Sequence, residues 1–350
     1  MESAIKYIMF GVAANGVMLF GMSYLFGLTG TTSFADLLPK LQPMIHSPLA
    51  IAGLALALCG LFYKLAIFPF HFWTPDVYQG ASNETASLIA SLPKIGGVAV
   101  LFRLVSLATG DNHVLSLLLA ILAVSSMFYG NLVALLQKDF KRLLGFSGIA
   151  HAGYALVGFV ALSNFGYAAA LYYIIGYLLM VLACFLVICK VSRDGRNLAI
   201  EELAGLHRRA PLLALTLAVG VFALAGIPPF VGFMGKLTLL TAAWQRGHSA
   251  LVIFAMINAA IAVYYYLSVV REAWFREPGD LPPIRLDWQT KALCVLLMSG
   301  ILALGIAPSR VIDALSNSVA KSGLNPSTSS SSVAISPSES RNLYPVTNAH

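Results

Sequence analysis

Long stretches of this chain carry no charge. Asp, Glu, Lys and Arg are absent from residues 7–35, 41–63, 112–137, 143–189, 210–235, 247–270 and 292–309. About 20 mostly apolar residues, rising 1.5 Å each as helix, cross the hydrocarbon of a bilayer. The pattern predicts an all-α polytopic membrane protein with nine spans, at 5–28, 48–73, 85–109, 114–137, 142–162, 165–190, 211–245, 248–271 and 290–315. The interval 143–189 is about 70 Å long as one helix, so it must fold back, and Ser163-Asn164-Phe165-Gly166 supplies the turn. The seventh span is too long for one straight crossing. It contains Gly226-Ile227-Pro228-Pro229, where two missing backbone donors break the helix in mid-membrane, and Pro69 interrupts the second span in the same way.

Composition narrows the class. Of 350 residues 58% are hydrophobic and 11% are charged, against roughly a quarter charged in soluble domains. That excludes an ordinary soluble enzyme or a nucleic-acid binder, although the formal net charge is +7. Lys6, Lys138, Lys141, Arg142, Lys190, Arg193, Arg196, Arg208, Arg209, Arg271, Arg276, Arg285 and Lys291 fall on one side of a nine-span topology, and only Lys40 and Arg246 fall between spans on the other. The positive-inside rule then places the N-terminus and the basic loops in the cytoplasm and the C-terminal tail in the periplasm. From 316 to 350 the chain is rich in Ser, Pro and Asn and reads as a disordered tail after a membrane domain at 1–315. The first apolar run has full-span length and no small-residue cleavage site after it, so a cleavable signal peptide is not expected. The four cysteines lie in apolar runs and form no CxxC pair, which points to packing rather than redox chemistry.

Lys64, Lys94 and Lys236 are left well inside apolar spans, with Arg103 nearer an end. An ionisable group at that depth costs about 2.5–3.5 kcal/mol on insertion scales and marks a functional site unless it snorkels to the interface. Snorkelling or structural pairing is the simpler account of Arg103. Lys64 lies five residues before Pro69 and Lys236 seven after Pro229; interrupted helices expose backbone dipoles and admit water, and in transporters they mark the pathway. A buried lysine can alternate between holding and releasing a proton, whereas arginine stays charged. His151 sits halfway along the fifth span, where it is a packing residue or a relay. His71, among Phe70, Phe72 and Trp73, reads as interfacial and structural. The spans contain no carboxylate, Asp76 and Glu84 flanking a loop at a span end. Counter-charges for the lysines must therefore come from outside this sequence.

Other chemistries lack their motifs. There is no G-x-G, no P-loop around Gly235-Lys236 and no HExxH. No cofactor-binding or metal site is expected in this chain.

The segment FYKLAIFPFHFWTPDVYQGA, Phe62 to Ala81, resembles the signature of the antiporter-like membrane subunits of the proton-pumping NADH:quinone oxidoreductase, respiratory complex I. Its portion Pro75-Asp76-Val77-Tyr78-Gln79-Gly80-Ala81 is similar to the subunit N branch rather than to L and M. Gly130-Asn131-Leu132, Gln137, Lys141 to Gly145, His151 to Tyr154, Ala225 to Pro229 and Gly232 to Lys236 follow in order. The resemblance covers about residues 2–315. It implies a fourteen-helix fold of which this chain is the C-terminal part, N-terminally truncated, with five spans and a pairing glutamate missing.

The resemblance also implies proton movement along a hydrophilic axis, driven by quinone reduction in neighbouring subunits. Lys64 is then the switch, Lys94 the connecting relay and Lys236 the terminal relay; His151, within a matching motif, remains the further relay candidate read from the residues. His71, Pro75, Asp76, Tyr78 and Gly80 form the motif loop, and Pro69, Pro228 and Pro229 the helix breaks. NADH, FMN, iron-sulfur clusters and quinone belong to the parent complex, the partners being its other membrane subunits and the lipid bilayer of a bacterial inner membrane. After Ala81 the family usually has proline where this chain has Ser82-Asn83-Glu84, which leaves the role of Glu84 open. A cation/proton antiporter subunit and a non-conducting membrane scaffold are the alternative readings.

Overall fold

The computed structural model describes residues 2–106, 113–192, 196–279 and 281–322; Arg193 and the tail beyond 322 lie outside them. Among the described residues the chain is a helical bundle with no strand, and one isolated antiparallel bridge pairs Asp139 with Ala199. The helices are α1 (Glu2–Thr29), α2 (Phe34–Leu41), α3 (Pro48–Leu65), α4 (Trp73–Gly80), α5 (Asn83–Val105), α6 (His113–Ala134), α7 (Phe140–Val160), α8 (Asn164–Val191), α9 (Leu206–Arg209), α10 (Pro211–Ala225), α11 (Val231–Gln245), α12 (Ser249–Phe275), α13 (Trp288–Ile306) and α14 (Pro308–Lys321). Eight of them are long and apolar enough to cross a membrane. The pair α10 and α11, 15 residues each, makes the ninth crossing.

The termini follow local chemistry. Ser47, Ser82, Asp139, Ser163 and Asp287 each accept a hydrogen bond from a backbone N–H of the following first turn, starting α3, α5, α7, α8 and α13. Ser163 confirms the turn expected between the fifth and sixth spans. Both breaks start before their prolines. α3 stops at Ala66 in the left-handed region, φ 60°, and α10 stops at Gly226, φ 88°. In each, the next residue, Ile67 or Ile227, donates its N–H back to a carbonyl five residues earlier, Phe62 or Phe222. The sequences Ala66-Ile67-Phe68-Pro69-Phe70 and Gly226-Ile227-Pro228-Pro229-Phe230 therefore take the same path in the same register.

The interior is centred on α7 and α8. Every residue of α7 except Arg142 is buried, so its uninterrupted apolar pattern reflects a helix covered on all sides. Around it pack α4, α5, α6, α8 and α11. Helix α1 is covered on a narrow face where Gly21, Gly53 and Gly60 allow close approach to α3, and elsewhere exposes Ile8, Met9, Val12 and Leu19. The basic loops gather at one end through Lys6–Asp76, Arg142–Asp76, Lys190–Asp287 and Arg208–Glu277 pairs.

Several expectations need correction. The span at 290–315 is two helices, because Pro308 starts α14 after Ala307 and α14 lies against α8. Helix α14 runs to Lys321, so the tail boundary at 316 is too early. Helix α2 was not expected; its eight residues are too few for the spacing of apolar positions to register. Helix α12 runs past 271 to Phe275, so Glu272, 8% exposed and paired with Arg271 and Arg276, lies in its last turn rather than in a loop.

Candidate functional site

Two of the three lysines are deep in the bundle. Lys94 is 2% exposed and Lys236 6%. Lys94 projects from α5 one residue after Pro93, and its ammonium donates to the Gly148 carbonyl on α7 at 3.0 Å and to the Tyr177 hydroxyl on α8 at 3.2 Å. The same nitrogen lies 4.7 Å from the centre of the Tyr177 ring. Lys236, on α11, donates to the carbonyls of Leu224 at 3.1 Å and Ala225 at 2.9 Å, and sits 4.9 Å from the ring centre of Tyr154. Those carbonyls end α10, where the helix can no longer supply donors and the dipole is negative. Lys236 thus caps one break. At the other break the Trp73 indole donates to the Tyr63 carbonyl at 3.0 Å, an uncharged donor one residue earlier in the shared register.

His151 stands between the two ammonium groups. It is 3% exposed, with Nδ1 2.6 Å from the Tyr173 hydroxyl on α8 and Nε2 3.0 Å from the Tyr266 hydroxyl on α12. Its ring lies 5.0 Å from that of Tyr177 and 6.3 Å from that of Tyr154. Lys94, Tyr177, His151, Tyr154 and Lys236 form a buried line in which Tyr177, His151 and Tyr154 meet through ring contacts, the Tyr154 hydroxyl donating to the Ala255 carbonyl at 2.9 Å. Neither ammonium has a carboxylate partner among the described residues; backbone carbonyls and tyrosine π-faces take that place. Beside Lys236 an apolar cavity of about 480 Å³ is lined by Phe233, Leu240, Trp244 and Met256.

The tyrosines escaped the sequence reading, which searched for charge. Their signal was present: Tyr173 and Tyr177 are one turn apart on α8, and Tyr154 is one turn from His151, so each pair shares a face. A phenol inside an apolar span needs a partner for its hydroxyl.

The remaining candidates divide. Lys64 does not join the buried line: it is exposed in the last turn of α3, on a side that no helix among the described residues covers. His71 is enclosed by protein rather than exposed. It is 1% exposed, with its ring 5.4 Å from Phe68 and 4.2 Å from Tyr129, and neither nitrogen has a partner. Asp76 ties three helices together, 2.8 Å from Lys6 on α1 and 2.8 Å from Arg142 on α7. Pro75 lies against Gly145, where a Cβ would stand 3.1 Å from the Pro75 Cα, and Gly80 leaves room for Ser3. Tyr78 is fully buried with an unpartnered hydroxyl. Pro69, Pro228 and Pro229 are exposed at the breaks, Glu84 is exposed at the start of α5, and the half-buried Arg103 lies beside the Phe102 ring. The motif loop therefore fastens α1, α4 and α7, while the buried line runs through α5, α7, α8 and α11. No group of three or more potential metal ligands occurs among the described residues.

The family model for the NADH:quinone oxidoreductase/Mrp antiporter transmembrane segment matches residues 1–262. The chain belongs to this family. It is 68% identical over 321 residues to NADH-quinone oxidoreductase subunit N 2 of Opitutus terrae, covering 91% of this chain and 67% of that protein. It is 46% identical to the protein of the same name from Syntrophobacter fumaroxidans, covering 89% and 66%. The chain thus spans about two thirds of the length of these relatives. Among solved structures, a chain of respiratory complex I from Thermus thermophilus with bound aureothin superposes with a TM-score of 0.78 at 34% identity, covering 90% of this chain and 69% of that one. A chain of the membrane-bound sulfane sulfur reductase, an archaeal respiratory membrane complex, superposes with a TM-score of 0.83 at 26% identity, covering 93% and 66%. The expected membership and the antiporter-like membrane fold are both shown by these similarities.

Proposed function

We propose that this chain is a proton-translocating membrane subunit of an NADH:quinone oxidoreductase, moving protons while electrons pass from NADH to quinone in other subunits. The observation that carries this reading is the buried line itself. Two ammonium groups without carboxylate partners are joined by a histidine and tyrosines, all groups that can take up or pass on a proton. Lys94 is the connecting relay and Lys236 the terminal one. Lys64 acts as a switch only when a carboxylate from outside this chain approaches the uncovered side of α3, because an exposed lysine in hydrocarbon needs a counter-ion.

In this reading the reduction of quinone supplies the energy, and NADH, FMN, iron-sulfur clusters and quinone are held by partner subunits. The chain lies in a bacterial inner membrane with its basic loops cytoplasmic and its C-terminal tail periplasmic, in accord with the charge asymmetry. Its partners are the neighbouring membrane subunits and lipid.

The test uses inverted membrane vesicles of the assembled oxidoreductase, recording NADH oxidation and a pH-sensitive dye together. Lys94→Ala and Lys236→Ala are each expected to lower the protons moved per NADH oxidised, with the complex still assembled. An unchanged ratio in both variants would overturn the roles assigned to these lysines.

A further inference from the structure

The cavity beside Lys236 has one polar end. It lies between α11 and α12, and its volume of about 480 Å³ falls within the roughly 300–1,000 Å³ of small-molecule sites. Leu237, Leu240 and Trp244 line it from one face of α11, and Val252 and Met256 from α12. From Lys236 to Trp244 the helix rises about 12 Å. The mouth is apolar and open, since Trp244 and Met256 are both exposed, whereas Lys236 at the inner end is buried.

An ammonium has three N–H donors. Two of those on Lys236 go to the Leu224 and Ala225 carbonyls. The third has no oxygen acceptor among the described residues. Gly226 leaves the nitrogen open to the cavity, because a Cβ there would stand 3.1 Å from it. The hydroxyls on the wall are already committed: Tyr154 donates to the Ala255 carbonyl at 2.9 Å and Thr241 to the Leu237 carbonyl at 2.8 Å. Surrounding hydrocarbon supplies no counter-ion either.

These features select a ligand. All of its polarity must lie at one end and accept hydrogen bonds, and the rest must be hydrocarbon. A quinone carries a second carbonyl across its ring, and the one further donor on the wall, the Trp244 indole, stands about 12 Å along the helix at the mouth. A phospholipid headgroup brings additional charges for which the wall has no partner. A carboxylic acid on a long alkyl chain meets both requirements, and its neutral form can enter through lipid.

We propose that the α11–α12 cavity binds a long-chain fatty acid, its carboxylate on Lys236 and its alkyl chain running past Leu240 to the Trp244 mouth and the bilayer. The acid enters neutral and meets Lys236 as the free amine. Its O–H bond breaks and an N–H bond forms, leaving a carboxylate–ammonium pair of zero net charge, which hydrocarbon tolerates better than either ion alone. The proposal deepens the proton-transfer reading, because the ligand competes for the nitrogen that the relay uses. Occupancy is nevertheless a property of the cavity and is measured without pumping, so the two readings fail separately.

The experiment uses the assembled oxidoreductase in inverted membrane vesicles and palmitic acid carrying a terminal diazirine. Irradiation should place adducts on the α11 and α12 residues that line the cavity, located by mass spectrometry of peptides. Unlabelled palmitic acid should compete and methyl palmitate, which has the same chain without the acid, should not. Lys236→Met should weaken the competable labelling about tenfold or more, as expected for the loss of a hydrogen bond to a charged group. Leu240→Trp keeps Lys236 but fills the cavity, and should remove the labelling. Equal competition by methyl palmitate overturns the proposal, and that comparison is made on the wild type, so it needs no variant to fold. Unchanged labelling in both variants overturns it as well. So does the absence of competable adducts in the assembled enzyme, whether a neighbouring subunit fills the groove or the acid only dissolves in lipid.

Discussion

The Lys94 ammonium reaches the Gly148 carbonyl because residue 148 has no side chain: a Cβ there would stand 2.9 Å from the lysine nitrogen and 3.0 Å from the Tyr177 hydroxyl. A methyl group cannot occupy that space without moving one of them. The glycine thus places a charge against α7 and α8 without itself being titratable, and it links helix packing to the site.

Gly148→Ala is therefore expected to push the ammonium off Tyr177 while every proton-carrying group remains. Proton translocation per NADH oxidised should fall about as far as in Tyr177→Phe, which removes the hydroxyl that accepts from Lys94. The two changes together should cost little more than either alone, because both break one contact. Simultaneous recording of dye response and NADH oxidation in vesicles checks this; additive losses would show that the glycine acts elsewhere.

Asp76 was read with the family motif, and its contacts make it a fastening. It pairs with Lys6 and Arg142 at 2.8 Å each, while all three side chains are about a third exposed. Partly exposed pairs contribute about 0.2–1 kcal/mol apiece. Asp76→Ala should lower stability by about 0.4–2 kcal/mol and speed proteolysis near the start of α1, leaving Lys94 and Lys236 in place. Thermal unfolding in detergent, with and without added salt, measures the effect. High salt should narrow the gap between wild type and variant.

Much of this architecture was legible in the sequence, since covering a helix with lipid or protein demands apolar residues over its full length. Nine crossings, the Ser163 turn and both breaks follow from that demand. The exact stopping points do not. Ala66 adopts φ 60° without being glycine, and only the matching path at Gly226 makes it intelligible. Pro308 does start a helix, as proline at a first turn commonly does, but a span-length reading absorbed it into the crossing before.

For the site, the cost of burying charge singled out Lys94 and Lys236 correctly as deep groups. Lys64 is exposed on α3; its surroundings depend on which helices cover α3, and a hydropathy pattern carries no such information. The tyrosines were overlooked because a hydroxyl barely alters the apolar count of a span, although it determines where a proton can go.

At the start of α13, Asp287 caps the helix from the basic end. The Thr290 hydroxyl donates to it at 2.6 Å and the Lys190 ammonium lies 3.3 Å away. The Thr290 hydrogen bond foremost, with Lys190 adding, pulls the carboxyl down to about 2. An unfolded aspartate titrates near pH 3.9. Because the folded value is the lower one, the cap stabilises fully above about pH 4 and is lost as pH falls through about 2. Amide exchange in the first turn of α13 should accelerate relative to the helix centre across that window in the wild type. In Asp287→Ala it should already be fast above pH 4 and show no such step.

Lys236 offers the sharpest contrast with Lys94, because its partners are the carbonyl ends of a broken helix rather than a neighbouring hydroxyl. Gly226 makes the arrangement possible twice over. Its φ of 88° lies where a Cβ is disfavoured, and that Cβ would come within 3.1 Å of the lysine nitrogen. In Gly226→Ala the left-handed backbone costs about 1–2 kcal/mol, so melting should fall, and the ammonium must leave the Leu224 and Ala225 carbonyls. Lys94 and His151 are untouched by the change. A relay that needs Lys236 at the end of α10 should lose proton translocation while NADH oxidation continues. Alternatively, if the variant melts lower but pumps normally, the capping of α10 is a matter of stability and Lys236 moves its proton from some other position. A density map of the variant, showing where the ammonium has gone, decides between the two by whether it has left those carbonyls.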